Sequence, residues 1–169
     1  DSLIEAWPRV IEHLPGARLV IVGWGSYAKR LAMLRRTSPA RGSITLTGEV
    51  TVAELPGHVA MGDVFAMPCR TRRGGLDVEG LGIVFLEASA TGLPVIAGTS
   101  GGAPETVVEG TTGDIVDGRD QDALVTALVR QLSDPALRAR MGAAGRTLMQ
   151  ERWTWPPLVA GLIRAIDAR

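Results

Sequence analysis

Two glutamates and the glycines between them are residue types at a spacing that could bind a ligand. Glu79 and Glu87 are eight residues apart, with Gly80 and Gly82 between them. A carboxylate accepts two hydrogen bonds, so it suits the paired hydroxyls of a sugar or a ribose. A helix predicted over 82–91 would begin at these glycines, and its first N–H groups and dipole favour an anion. The pattern therefore predicts a site for a phosphate beside sugar or ribose hydroxyls.

A second glycine pair, Gly23 and Gly25, follows a predicted strand and precedes a predicted helix. This position suits the close approach of a ligand to the backbone, and an ordinary tight turn explains it equally well. Dinucleotide-binding folds place an acidic residue about 20 residues later, but Thr47 stands there. The tyrosine and the lysine, Tyr27 and Lys29, do not form a Tyr-x-x-x-Lys pair. An NAD-dependent oxidoreductase is therefore disfavoured.

Charged side chains are concentrated in the loop predicted over 69–81. Arg70 and Arg72 are candidates for phosphate contacts, and a plain solvated loop explains them equally well. Asp77 and Glu79 form an acidic pair that could suggest a bound cation. The pair stands among glycines before a helix and not at a strand end, so no metal site is predicted.

Length and composition fit one globular domain, with 169 residues of which 46% are hydrophobic and 21% charged. Eighteen Lys and Arg balance 18 Asp and Glu, which removes the overall positive charge typical of nucleic-acid-binding proteins. One cysteine, Cys69, excludes an internal disulfide and a cysteine-based zinc site. No apolar run is long enough for a transmembrane segment, and no signal peptide opens the chain. Because it lacks an initiator Met, we expect a piece of a longer protein.

Strand and helix patterns alternate along the first 119 residues and position these candidate sites. Short apolar runs predict strands over 18–22, 43–47, 63–67, 94–97 and 114–116. Capping residues and periodicity predict helices over 2–14, 27–36, 52–61, 82–91, 123–132, 136–151 and 158–168. Such alternation favours an α/β fold with a Rossmann-like parallel sheet and helices on both faces. We expect one domain over 1–169, with an α/β core over 1–119 and a helical tail over 120–169.

Five further segments accompany the two glutamates in a recognisable order. They are residues 21–25, 47–50, 60–68, 87–98 and 101–107. Together these motifs resemble the donor-binding C-terminal domain of retaining GT-B glycosyltransferases of family 4, over nearly the whole chain. The loop over 70–82 is most similar to that of the phosphatidylinositol mannosyltransferases, which add mannose to a mannosylated phosphoinositide.

The resemblance implies a role for each candidate residue. Glu79 would be the catalytic residue at the donor-sugar hydroxyls, and Glu87 would hold the ribose hydroxyls. Backbone N–H groups would bind the sugar and the diphosphate at Gly80, Leu81, Gly82 and Ile83. The nucleobase would meet Gly23, Gly25 and Val50.

The resemblance also implies a reaction, in which mannose passes from GDP-mannose to a phosphatidylinositol mannoside-type lipid with retention at the anomeric carbon. Positive side chains and a helix N-terminus would stabilise the leaving diphosphate, without a metal or other cofactor. The family's diphosphate-binding Arg and Lys, a first strand and an N-terminal acceptor domain would precede Asp1. We therefore expect the isolated chain to be inactive. The implied full-length enzyme is cytoplasmic and peripheral to the inner face of the cell membrane.

Two alternatives stay open from the residues. One is an enzyme of the same GT-B fold that uses a UDP-sugar in place of GDP-mannose. The other is a non-catalytic nucleotide-binding module on a Rossmann-like sheet.

Overall fold

Helices and short parallel strands alternate through the first part of the chain in the computed structural model, which describes residues 1–167. The strands are β1 (Leu19–Ile21), β2 (Ile44–Leu46), β3 (Phe65–Met67), β4 (Val95–Gly98) and β5 (Gly113–Val116). The helices are α1 (Ser2–His13), α2 (Ala28–Thr37), α3 (Leu55–Ala60), α4 (Ile83–Thr91), α5 (Gln121–Ser133), α6 (Pro135–Arg152) and α7 (Trp155–Asp167). After residue 119 the elements are the helices α5, α6 and α7.

The strands pair in parallel, but they form two ladders. β1 pairs with β2, with Leu19 opposite Ile44. β3, β4 and β5 form the second ladder in that order, with Phe65 opposite Val95. Parallel pairing is therefore confirmed, and the strands of the described part of the chain form two ladders in place of one continuous sheet. Within residues 1–167, β4 is paired on both sides, whereas β1, β2, β3 and β5 each have a paired strand on one side only.

Strand β4 lies at the centre of the fold, and all four of its residues are buried. Ile96 packs into one hydrophobic cluster with residues of α1 and α5. Val95 and Ala97 pack into another with Phe85 and Ala88 of α4. Successive side chains of a strand point to opposite faces, so β4 has helices on both sides. This arrangement confirms the expected layering.

Local capping explains where the tail helices begin. The Asp120 carboxylate accepts a hydrogen bond from the Ala123 N–H at 2.9 Å and caps α5. The Asp134 carboxylate does the same for Leu137 at the start of α6, at 2.9 Å, with Pro135 in the first turn. A side-chain oxygen at the N-cap satisfies an N–H that would otherwise have no partner.

Two predicted helix starts differ from the structure because of proline. The helix predicted over 52–61 begins only at Leu55, and Pro56 occupies its first turn. The last helix, predicted over 158–168, begins earlier, at Trp155, with two prolines in its first turn. Proline is tolerated there because those N–H groups have no partner within the helix. Ala168 lies outside the described residues.

Helix α7 is amphipathic but has no buried residue. Its large apolar side chains are exposed at Trp155, Leu158, Val159, Leu162, Ile163 and Ile166. No helix in residues 1–167 combines the length and apolarity needed to cross a bilayer.

Candidate functional site

The candidate site lies where β3 and β4 end. Both strands run in the same direction, so the loops that follow them leave from one edge of the ladder. We call residues 68–82 the β3–α4 loop and residues 99–102 the β4 turn. The Gly102 N–H donates to the Gly80 carbonyl at 2.7 Å, and the Glu79 N–H donates to the Ser100 hydroxyl at 3.1 Å. The β4 turn therefore holds the part of the β3–α4 loop that contains Glu79.

Close backbone contact explains the glycine at position 101. A Cβ there would overlap the carbonyl oxygen of Glu79, and the φ of Gly101 is +55°. Any larger residue would push the two loops apart. Gly101 therefore allows the β4 turn to pack directly against the β3–α4 loop.

Helix α4 begins immediately after the β3–α4 loop, with Gly82 as its N-cap at φ +78°. A Cβ at position 82 would lie 2.5 Å from the Phe85 ring, so the glycine is needed for the start of the helix itself. No side chain within residues 1–167 caps this end. Its first N–H groups and the positive end of its dipole suit an anion.

The two glutamates occupy different surroundings. Glu79 is half-buried in the β3–α4 loop, and Glu87 is exposed on α4. Ile83 is 64% exposed and lies one turn before Glu87, whereas Phe85 and Ala88 are buried. Residues four apart share a helix face, so Glu87 and Ile83 face solvent together. Gly80 is exposed and Leu81 half-buried beside them.

The loops after β1 and β2 meet each other. The Gly23 N–H donates to the Gly48 carbonyl at 3.1 Å, which forms an isolated bridge between the two glycines. Gly25 is exposed next to this bridge, and Val50 is half-buried two residues beyond it. The structure thus places side by side the two loops that carry the residues expected at the nucleobase.

Arg70 is held by the start of α1. Its guanidinium donates to both oxygens of the Asp1 carboxylate, at 2.6 and 2.9 Å, and to the Ser2 hydroxyl at 2.6 Å. The Arg70 side chain is 22% exposed. Its donors are therefore directed at α1, in a geometry typical of strong Arg–carboxylate pairs.

Arg72 lies nearer the solvent and links the two groups of loops. Its Nε is 3.1 Å from the Asp77 carboxylate, and its side chain is 44% exposed. The guanidinium carbon also lies 5.3 Å from the centroid of the Tyr27 ring, just before α2. A cation over an aromatic face is attracted to it. Of the two arginines, Arg72 therefore has the guanidinium that is more accessible to a ligand.

Cys69 follows β3 at the base of the β3–α4 loop. It is half-buried, and burial raises the pKa of its thiol above the ordinary value, against the opposing effect of backbone hydrogen bonds from Gly98 and Ser100. A thiol that stays protonated is a poor nucleophile.

Within residues 1–167, no three His, Cys, Asp or Glu side chains gather into a possible metal site.

Sequence reasoning missed Ser100 and Thr71 as parts of this site. Their hydroxyl oxygens are 3.0 Å apart, and Ser100 also accepts the Glu79 N–H. The one available signal was position, because Ser100 follows β4 directly before two glycines. Loops at the carboxyl ends of parallel strands commonly form binding sites.

Comparison with known proteins identifies the family. The model of the glycosyl transferases group 1 family matches residues 1–148. The chain is 52% identical over 171 residues to a GDP-mannose-dependent alpha-(1-6)-phosphatidylinositol monomannoside mannosyltransferase of Mycobacterium tuberculosis, covering 99% of this chain and 44% of that protein. It is 51% identical over 155 residues to a GDP-mannose-dependent monoacylated alpha-(1-6)-phosphatidylinositol monomannoside mannosyltransferase of Corynebacterium glutamicum, covering 92% of this chain and 40% of that protein.

A solved structure supports the fold. Anabaena HepE in complex with UDP superposes with a TM-score of 0.83 at 21% identity, over 99% of this chain and 44% of that one. The chain thus spans less than half the length of the curated relatives named above. The match to the family model, together with this likeness, shows that the chain belongs to the group 1 glycosyl transferases and has the α/β fold of GT-B enzymes.

Proposed function

We propose that this chain is the donor-binding part of a retaining glycosyltransferase that transfers mannose from GDP-mannose to a phosphatidylinositol mannoside-type lipid. One observation carries the proposal: Glu79 and Glu87 flank the uncapped N-terminus of α4 in a chain 52% identical to a mannosyltransferase described as GDP-mannose-dependent. That relative's name supplies the base, the sugar and the lipid.

Each residue has a proposed role at the donor. Glu79 binds the mannose hydroxyls and is the catalytic residue, and Glu87 binds the ribose hydroxyls. The backbone N–H groups of the α4 start bind sugar and diphosphate, at Gly80, Leu81, Gly82 and Ile83. The guanine base lies against Gly23, Gly25 and Val50. The exposed guanidinium of Arg72 supports a phosphate contact, whereas that of Arg70 is already paired with Asp1.

The proposed reaction breaks the bond between the mannose C1 and the diphosphate oxygen. An acceptor hydroxyl oxygen bonds to C1, its proton is released, and the electron pair leaves with GDP. Negative charge grows on the diphosphate as that bond breaks, so preorganised donors there lower the barrier. The positive end of α4 supports a metal-independent reaction, in which further cations come from elsewhere in the parent protein.

The divided sheet supports a larger parent protein. β1 and β3 each have a pairing partner on one side within residues 1–167, yet one hydrophobic cluster includes Leu19 of β1 and Ile96 of β4. Unpaired strand edges readily accept another strand. We propose that a further strand and an acceptor-binding domain of the parent complete the site. A lipid acceptor supports a peripheral position at the inner face of the cell membrane, on the cytoplasmic side.

Calorimetry on the full-length protein that contains this chain tests the proposal. We expect GDP to bind more tightly than UDP, and Glu87→Gln to weaken GDP binding by about tenfold through loss of charge-assisted hydrogen bonds. Glu151→Gln, an exposed change on α6, is the matched control and leaves GDP binding unchanged. Tighter binding of UDP would favour the UDP-sugar alternative. Binding of neither nucleotide by the wild type would overturn the proposal.

A non-catalytic nucleotide-binding module makes a different prediction. It would bind GDP but release no mannose from GDP-mannose in the presence of a mannosylated phosphoinositide. Turnover by the wild-type full-length protein that is lost in Glu79→Gln would exclude this alternative.

A further inference from the structure

Ser100 lies at the centre of the contact between the β3–α4 loop and the β4 turn. The residue is 1% exposed. The Ser100 Oγ accepts the N–H of Glu79 at 3.1 Å and lies 3.0 Å from the Thr71 Oγ1. A hydroxyl has two acceptor positions and one donor, so both contacts form together. One buried hydroxyl thus joins the beginning and the end of the β3–α4 loop to the end of β4.

Backbone contacts hold the carbonyl side of Glu79, whereas its N–H is held by the Ser100 hydroxyl. The next carbonyl, that of Gly80, accepts the Gly102 N–H at 2.7 Å, and Gly101 packs directly against the Glu79 carbonyl. Thr71 is fixed in turn, because its carbonyl accepts a hydrogen bond from the Arg119 guanidinium at 2.7 Å. The Ser100 hydroxyl is the side-chain group in this set of contacts that accepts the Glu79 N–H. Removing the hydroxyl therefore takes away the partner of that N–H, whereas the Gly102–Gly80 backbone hydrogen bond does not involve the hydroxyl.

We propose that Ser100 is a positioning residue, which sets the backbone of Glu79 so that its carboxylate meets the donor sugar. This inference rests on the proposed role of Glu79 at the mannose. Ser100 touches neither the nucleotide nor the sugar and acts through the Glu79 N–H. A displacement of about 1 Å at a reacting group can cost about 100-fold in rate, so a lost tether is measurable in turnover.

The test compares two serine-to-alanine variants in the full-length protein that contains this chain. Ser100→Ala is expected to lower kcat for mannose transfer from GDP-mannose by about 10- to 100-fold, while the Kd for GDP stays within about twofold. The nucleotide does not contact Glu79 in the proposed arrangement. A loss of kcat with an unchanged Kd for GDP is therefore specific to positioning at the sugar. Ser89→Ala is the matched control. Ser89 is also 1% exposed, and its hydroxyl has no hydrogen-bond partner, so kcat is expected to stay unchanged.

Two variants of Thr71 test the same network from its other end. Thr71→Ser retains the hydroxyl and is expected to keep kcat near the wild-type value. Thr71→Val removes the hydroxyl with little change in shape and is expected to lower kcat less than Ser100→Ala does. The double variant is expected to lose less than the product of the two single losses, because both changes act on one network.

The outcomes separate this inference from the proposed function. A wild-type protein that does not transfer mannose would overturn both. An active wild type with an equally active Ser100→Ala variant would overturn the positioning role alone, and so would equal losses of kcat and GDP affinity. If Ser100→Ala does not fold, as judged by near-ultraviolet circular dichroism, the Thr71 pair decides: equal activity of Thr71→Val and Thr71→Ser would overturn the inference.

Discussion

The Arg70 guanidinium and the Asp1 carboxylate form two hydrogen bonds, although the residues are 69 positions apart in sequence. This pair joins the N-terminus of α1 to the beginning of the β3–α4 loop. Ser2 extends the connection, because its hydroxyl accepts from Arg70 and donates to the Gly118 carbonyl at 2.7 Å. Three segments that precede α1, α4 and α5 are therefore connected through one guanidinium.

Loss of Arg70 is expected to destabilise the fold. Arg70→Ala removes three charge-assisted hydrogen bonds, two to Asp1 and one to Ser2, and leaves the Asp1 carboxylate, 12% exposed, without this partner. We expect a loss of about 1–3 kcal/mol in the free energy of unfolding, measured by urea titration. Arg72→Ala is the control. Its ion pair with Asp77 is 44% exposed on both sides, so solvent screening reduces the expected loss below about 1 kcal/mol. Equal losses would contradict this assignment.

Glycine at position 142 is expected to be essential for packing α6 onto α4. A Cβ at Gly142 would overlap the carbonyl oxygen of Gly92, which is backbone and cannot rotate away. Gly142→Ala should therefore cost about 1–3 kcal/mol, as overpacked cores do. Gly145→Ala, in the same helix, meets the Ser89 Cβ at an ordinary 3.4 Å. That control is expected to be neutral or stabilising, since alanine favours helix by about 1 kcal/mol over glycine. Thermal unfolding of both variants decides the comparison.

The two glutamates should affect different parts of the donor. In the full-length protein, Glu79→Gln is expected to lower kcat for mannose transfer by about 100-fold or more while the Kd for GDP changes little. Glu87→Gln should weaken GDP and GDP-mannose binding to the same degree, because both carry the ribose. If both variants weakened the binding of free GDP to the same degree, these separate roles would be contradicted. Steady-state kinetics and calorimetry on the same preparations provide both measurements.

The Cys69 thiol is expected to resist alkylation in the folded protein. Burial raises its pKa, so the folded state holds the thiol proton to higher pH than the unfolded state does. The contribution of this thiol to the free energy of unfolding is therefore fully present below the ordinary thiol pKa. It is lost as the pH rises through the raised pKa. Iodoacetamide at pH 8 should modify the folded protein several-fold more slowly than the urea-unfolded protein, because the thiolate is the nucleophile. Mass spectrometry measures the two alkylation rates, and equal rates for the folded and unfolded protein would contradict this expectation.

Much of the secondary structure could be predicted because it depends on neighbours within one helical turn. Asp120 and Asp134 cap α5 and α6 through hydrogen bonds to residues three positions later. The strand β4 is a short apolar run that is buried on both faces. The Glu79 and Glu87 spacing is likewise visible in the chain, as is the helix that begins between them and contains Glu87. Such features depend on local geometry and composition, which the order of the residues determines directly.

The sequence by itself determined the family, the parallel α/β class and the spacing of the two candidate glutamates. Only the tertiary structure decided that Arg70 is paired with Asp1, that Ser100 holds the Glu79 N–H from 21 residues away, and that the strands form two ladders. The physical reason is the range of the interactions. A cap is satisfied within three residues, whereas an ion pair or a contact between loops depends on which distant segments the packed core brings together.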